Sequence, residues 1–283
     1  IIQKENLQIF HGLSNEIPFG LNKKIRSVVT IHDVIFKKYP QFYNSFDRYV
    51  YSLKTYYSCK NSNKIITVSK QTKKDLIKYF KIDPEKIEVI YQSCHVAFKT
   101  PLKDINISNK YKLPKDYILF VGTIEKRKNL KFLLNAIKDY PFINLVCVGE
   151  KKSYYRDILN YLHDEKINNK IFFLEVKSVN DLSDIYKKAK FLVYPSFYEG
   201  FGIPIIESLF SETPVITLDK PIFRETGGDY CTYVKNSLEL KKIIAKFWEM
   251  KTIKNKNSKN WIKKYDSSKQ ADQIIRIYNE ILK

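Results

Sequence analysis

Eight short apolar runs, separated by longer stretches of helical periodicity, narrow most sharply the folds open to this 283-residue chain. They lie at 27–30, 64–68, 88–91, 117–121, 144–148, 171–175, 191–194 and 215–218. Most are near-continuous in Val, Ile, Leu and Phe rather than alternating with polar residues. That pattern marks strands covered on both faces of a parallel sheet. Between them, 44–62 is long and amphipathic. Ser69 precedes a helical pattern at 70–80, Asn129 one at 130–138, Ser153 one at 154–165 and Asn180 one at 181–188. Ser and Asn at helix starts accept hydrogen bonds from the unpaired N–H groups of the first turn. Strands alternating with helices predict parallel α/β layers.

The rhythm breaks between Cys94 and Asp116, a polar stretch with Pro101 and Pro114. The predicted organisation is a first α/β domain over 1–98, a linker over 99–116, a second α/β domain over 117–266, and a C-terminal helix over 267–283 that folds back to the first domain. The only methionine is Met250. The expectation is therefore a chain lacking its initiator, with the first domain truncated. No apolar run reaches the ~18 residues that span a bilayer, and no signal peptide opens the sequence. Cys59, Cys94, Cys147 and Cys231 are scattered with no CxxC. Reduced thiols in a cytoplasmic protein are expected rather than disulfides or zinc.

The formal net charge is +20, and only six of the 50 basic residues are arginine. Nucleic-acid binders draw on arginine for its bidentate grip on phosphate and guanine. No nucleic-acid partner is expected. Two readings of the lysine excess remain: a solvated surface, or attraction to an anionic membrane. The second would place the protein peripherally at the inner membrane face.

Residues 199–207 read Glu-Gly-Phe-Gly-Ile-Pro-Ile-Ile-Glu, where a loop turns into a helix. Gly200 and Gly202 let the backbone come close to a ligand. Pro204 suits a first helical turn. A helix start offers unpaired N–H groups and partial positive charge, which together bind anions. Glu199 and Glu207 can accept hydrogen bonds from sugar or ribose hydroxyls. Such a loop fits a nucleotide-sugar. The competing reading, an acid/base pair as in a hydrolase, is disfavoured because Glu207 is expected in the first helical turn, where it stays ionised.

Residues 120–130 carry Gly122, Thr123, Arg127 and Lys128 between a strand and a helix. Cations just before a helix N-terminus oppose its dipole, and a bound anion would resolve the conflict. The alternative is a solvated loop. His32 ends the first strand, where an open parallel sheet presents ligand-binding residues. It reads equally as a structural histidine bonded to Asp33, and His11, His95 and His163 read as structural or surface residues. No Asp-x-Asp pair or His cluster has metal-ligand spacing, so no metal is expected.

Together these segments resemble the retaining GT-B glycosyltransferases of family 4, the glycosyl transferases group 1. The resemblance runs from Val28-Val-Thr-Ile-His-Asp33 to the C-terminal helix. Its most specific parts are residues 121–129 and the Glu-x7-Glu signature within 194–207. It implies two Rossmann-like domains facing a cleft, the second holding a nucleotide-sugar and the first an acceptor. Arg127 and Lys128 match the cationic diphosphate site. Glu199 matches the contact to donor-sugar hydroxyls, and Glu207 the contact to the ribose. Gly200, Phe201 and Gly202 match backbone contacts to sugar and phosphate, and Val176 a position whose backbone reads the base. His32 matches a histidine close to the transferred sugar. Gly122, Thr123 and Ile203 fall in the same donor-binding segments. Many members carry arginine where this chain has Thr123.

The implied activity is a retaining, metal-independent transfer of a hexose, mannose or glucose, with His32, Glu199 and Lys128 catalytic. The donor is a GDP- or UDP-linked diphospho-sugar and no separate cofactor is expected. The acceptor is a surface glycan or lipid-linked saccharide. The rival readings are a non-catalytic nucleotide-sugar-binding relative and a basic nucleic-acid-binding protein.

Overall fold

A computed structural model describes residues 7–22, 24–104, 106–251, 253 and 258–283. Residues 1–6 and Lys23 of the expected first domain, Ile105 of the expected linker, and Thr252 and 254–257 of the expected second domain lie outside the described residues. The chain divides into two compact units. The first comprises Ile1–Ser93, Glu199–Phe201 and Lys264–Lys283, and the second Cys94–Tyr198 and Gly202–Lys263.

The first unit holds β1 (Ile9–Gly12), β2 (Arg26–Ile31), α1 (Ile35–Lys38), α2 (Ser45–Asn61), β3 (Lys64–Thr67), α3 (Lys70–Phe80) and β4 (Ile87–Val89). Its strands form one parallel sheet in the order β1-β2-β3-β4. Asn44 accepts the N–H of Asp47 and Ser69 that of Thr72, so both predicted caps form. Strand side chains alternate between faces. Val29, Ile31 and Ile65 pack with Cys59, Leu76 and Phe80 from α2 and α3. Val28, Ile66 and Ile90 instead pack against Ile277, on the terminal helix of the chain at Ser267–Leu282. Full burial of one such isoleucine contributes roughly 1.5–3 kcal/mol. β1 was not predicted, because its four residues include His11 and are not an apolar run. His11 bonds Thr30 Oγ1 (2.8 Å) and the Tyr278 hydroxyl (2.5 Å), and burial lowers its pKa.

The second unit runs α4 (Ile107–Lys110), β5 (Ile118–Val121), α5 (Leu130–Ile137), β6 (Leu145–Val148), α6 (Tyr155–Asp164), β7 (Ile171–Leu174), α7 (Val179–Lys188) and β8 (Phe191–Tyr194). It continues with α8 (Ile203–Phe210), β9 (Val215–Leu218), α9 (Pro221–Gly227), β10 (Thr232–Val234), α10 (Ser237–Glu249) and α11 (Lys259–Ile262). The terminal helix of the first unit is thus α12. The parallel strands lie in the order β10-β9-β8-β5-β6-β7. The chain walks outward from β5 to β7, then returns to lay β8 on the other side of β5. β5 and β8 therefore flank the point where strand order reverses.

Local details differ from the sequence reading. Ser178, not Asn180, caps α7 by accepting the Asp181 N–H (3.3 Å). No side chain caps α6. Asn129 takes a left-handed conformation (φ 60°) and its amide donates to the Pro195 carbonyl (3.1 Å) instead of capping α5. The expected linker also differs, since residues from Cys94 onward pack as part of the second unit. Phe98 meets Tyr186 edge-on, with ring centroids 5.5 Å apart. Asp184 accepts the N–H groups of Lys103 (3.2 Å) and Asp104 (3.0 Å), and Asp181 accepts from Lys110 and the Tyr111 hydroxyl, both at 2.7 Å. Polar composition marked this stretch as a linker; buried acids on α7 are what hold it.

Candidate active site

Ligands of open α/β sheets bind beyond the carboxyl ends of the strands that flank a reversal of strand order. In the second unit those strands are β5 and β8, and they feed the two most specific motifs of the sequence. The loops are laced together. Phe197 N–H donates to the Arg127 carbonyl (3.0 Å), Arg127 Nη1 donates to the Tyr198 carbonyl (3.0 Å), and Lys128 Nζ reaches the Tyr194 hydroxyl (3.3 Å).

The two cations are not equivalent. Arg127 Nη2 pairs with Glu125 Oε1 at 2.6 Å. The charge conflict expected before α5 is thus answered, for this residue, from within the loop. Lys128 rests its ammonium over the Tyr194 ring, 5.5 Å from the centroid. Its stem lies against Gly122, where an added Cβ would sit 3.3 Å from Lys128 Cδ. Gly122 also has φ +149°, which side-chain-bearing residues rarely adopt. The glycine therefore makes room for the lysine.

At α8, Gly202 precedes the helix with φ 101°, Ile203 and Pro204 open it, and no side chain caps this end. Uncapped amides and the helix dipole leave the start of α8 suited to an anion. Glu207 is the fifth helical residue, in the second turn, and not in the first turn as expected from sequence. It is half-buried, and its Oε2 accepts a hydrogen bond from Tyr186 (2.9 Å). Burial pushes the carboxyl up to about 7, and the Tyr186 hydroxyl pulls the other way. The expectation of a firmly ionised Glu207 is therefore corrected: desolvation in the second turn outweighs a dipole that fades beyond the first.

Glu199, Gly200 and Phe201 group with the first unit, and so does His32. Glu199 is buried. The Gly200 carbonyl accepts from Thr72 Oγ1 (3.3 Å), and the His32 carbonyl accepts from the same hydroxyl (3.3 Å). Phe201 stacks on Tyr91 (5.9 Å) and meets Tyr265 edge-on (5.5 Å). His32 Nε2 bonds the Leu13 carbonyl (2.8 Å) and Nδ1 faces Gln92 Nε2 (3.3 Å). Asp33 instead caps the N–H of Ile35 (3.0 Å). The alternative of a histidine held by Asp33 is not what the structure has.

Thr123 follows Gly122 on the loop after β5, and its carbonyl accepts the Glu125 N–H (2.9 Å). Val176 is half-buried in the loop between β7 and α7. Among the described residues no group of three His, Cys, Asp or Glu side chains could hold a metal ion. None of the four cysteines forms a disulfide. No helix among the described residues is long and apolar enough to cross a membrane. Sequence reasoning missed Tyr186, which lies 21 residues before Glu207 and is fully buried. Only its place on the inward face of a predicted amphipathic helix could have flagged it.

The family model described as "Glycosyl transferases group 1" matches residues 103–265, and that described as "Glycosyltransferase Family 4" matches residues 1–96. The chain is 33% identical over 235 residues to the O-antigen chain mannosyltransferase RfbU of Salmonella typhimurium, covering 83% of this chain and 62% of that one. It is 31% identical over 230 residues to the O-antigen chain mannosyltransferase B of Escherichia coli, covering 78% and 59%. This chain thus spans about 60% of the length of these curated relatives. Among solved structures it resembles a sucrose-phosphate synthase from Thermosynechococcus elongatus, with TM-score 0.81, 20% identity and coverage of 97% and 73%. It also resembles Anabaena HepE in complex with UDP and glucose, with TM-score 0.74, 18% identity and coverage of 90% and 72%. These likenesses show the fold: two parallel-sheet Rossmann-like domains of the GT-B type.

Proposed function

The chain belongs to the glycosyl transferases group 1 family, and from that premise we propose that it transfers a hexose from a nucleoside-diphospho-sugar to a glycan acceptor. The observation that carries this reading is the lacing of the two motif loops beyond β5 and β8, which ties Arg127 to the Tyr198 carbonyl and Lys128 to the Tyr194 hydroxyl at the reversal of strand order. Mannose fits the O-antigen mannosyltransferases that resemble the chain. HepE, solved in complex with UDP and glucose, keeps glucose and a uridine donor as the second reading.

As the anomeric bond breaks, negative charge builds on the leaving diphosphate. Lys128 neutralises it, helped by Arg127 and the amides that open α8, so that no metal is required. Preorganised donors of this kind are worth about 2.7–4 kcal/mol each. Glu207 accepts a hydrogen bond from the ribose. Glu199 binds hydroxyls of the transferred sugar, and His32 acts close to that sugar. Gly122, Thr123, Gly200, Phe201, Gly202 and Ile203 bring backbone to the donor, and the backbone at Val176 reads its base. The reaction retains the donor's anomeric configuration, with the leaving phosphate taking the acceptor's proton. The acceptor is a growing surface glycan or a lipid-linked saccharide at an anionic membrane face.

The test is a donor screen by thermal shift with GDP-, UDP- and dTDP-sugars. At 100 times its Kd the true donor should add about 2.7 kcal/mol of stability. No response to any of the three would overturn the reading.

A further inference from the structure

Tyr186 is fully buried in the last turn of α7, yet it spends its hydroxyl on a carboxylate of another helix. Its ring is fixed edge-on against Phe98 (5.5 Å). Its carbonyl accepts from Thr213 Oγ1 (2.7 Å), and one turn earlier Ser183 Oγ donates to the Ala97 carbonyl (2.8 Å). The phenol therefore has little freedom to leave Glu207. A carboxylate has two oxygens and about four acceptor sites. Here Oε2 takes the Tyr186 hydroxyl. The other oxygen, Oε1, is not a buried atom left without a partner, and Glu207 keeps some surface. It is well suited to a ligand that brings its own hydroxyl donors.

We propose that Tyr186 is a positioning residue for Glu207: it holds Oε2 and so turns Oε1 toward the vicinal hydroxyls of a ribose. This rests on the reading of Glu207 as the ribose contact. Burial, and then the neighbouring Glu207, raise the Tyr186 pKa well above its ordinary value, so it remains a donor throughout the working pH range. The groups facing this pair come from several elements. Cys94 lies beside Glu207, with Lys99 near it and over the Phe210 ring (5.0 Å). Tyr194 at the end of β8 faces Tyr186. On α9, Arg224 is turned to Asp219. Tyr186 is the group that hydrogen-bonds to the Glu207 carboxylate and lowers its pKa.

The experiment measures binding of UDP and GDP, and of their 2′,3′-dideoxy forms, to the native chain, Tyr186→Phe, Glu207→Gln and the double variant, from pH 6 to 8.5. Tyr186→Phe should weaken the ribonucleotide about tenfold at pH 7 and leave the dideoxy form unchanged. Without its donor the Glu207 carboxyl holds its proton to higher pH, so the pH midpoint for ribonucleotide affinity should move upward. In the Glu207→Gln background, Tyr186→Phe should add nothing. Equal losses for ribo and dideoxy forms, or an unmoved midpoint, would show a core tyrosine and overturn the proposal alone. If Glu207→Gln bound the ribonucleotides as the native chain does, or the native chain bound neither, the ribose reading itself would fall.

Discussion

Gly200 sits so close to His32 that a Cβ on it would run into the His32 carbonyl oxygen, a backbone atom that cannot turn aside. Glu199–Phe201 and the strand-end histidine thereby belong to one contact set of the first unit, with Thr72 Oγ1 bridging the Gly200 and His32 carbonyls. Gly200→Ala should destabilise the fold by about 1–3 kcal/mol through overpacking. Urea unfolding will measure it, and an unchanged midpoint would mean that the contact yields.

Arg127 and Lys128 should fail differently when removed. Lys128→Ala should cut turnover roughly 100- to 1000-fold with native-like stability. Arg127→Ala also breaks the ties to Glu125 and the Tyr198 carbonyl. It should therefore lower the melting temperature as well as turnover. Turnover and thermal melts on both variants separate the two. Identical behaviour would contradict the division of roles.

Glu207 makes stability depend on pH in the direction opposite to a paired surface acid. Its folded pKa, raised by burial to about 7, exceeds its ordinary value of 4.5. Between those values the folded state binds more protons than the unfolded one, so stability falls as pH rises. The full shift corresponds to at most about 3 kcal/mol, present below pH 4.5 and lost by pH 7 and above. Glu207→Gln should flatten this slope, and be stabilised relative to the native chain at pH 8 compared with pH 5. Parallel curves for the two proteins would contradict a raised Glu207 carboxyl.

His32 and Glu207 should divide between kcat and binding. Glu207→Ala should weaken the donor by about 1.5–3 kcal/mol, because a ribose contact is alike in ground and transition states. His32→Ala should lower kcat about 100-fold or more with nucleotide affinity little changed. Steady-state kinetics together with nucleotide titration distinguish these outcomes, and an unchanged kcat in His32→Ala would remove it from the chemistry.

The strands with apolar runs were legible in the sequence, and so were the two motif loops, because both features are local. β10 was missed for the same reason as β1: Thr232–Val234 is three residues long and carries too little apolar signal. Asn129 misled because its residue type suits a cap, while its backbone turns left-handed and its amide serves Pro195. The environment of Glu207 was not legible, because its partner Tyr186 lies on another helix and only packing joins them. The pairing of Arg127 with Glu125, only two residues away, is a local feature that the sequence itself carries.

Retention without a metal is the centre of the proposed mechanism, and NMR of the product's anomeric proton tests it most directly. With the preferred nucleotide-sugar and a saccharide acceptor, the product should keep the donor's anomeric configuration, and EDTA should leave the rate unchanged. An inverted product, or activity abolished by EDTA and restored by manganese, would contradict it.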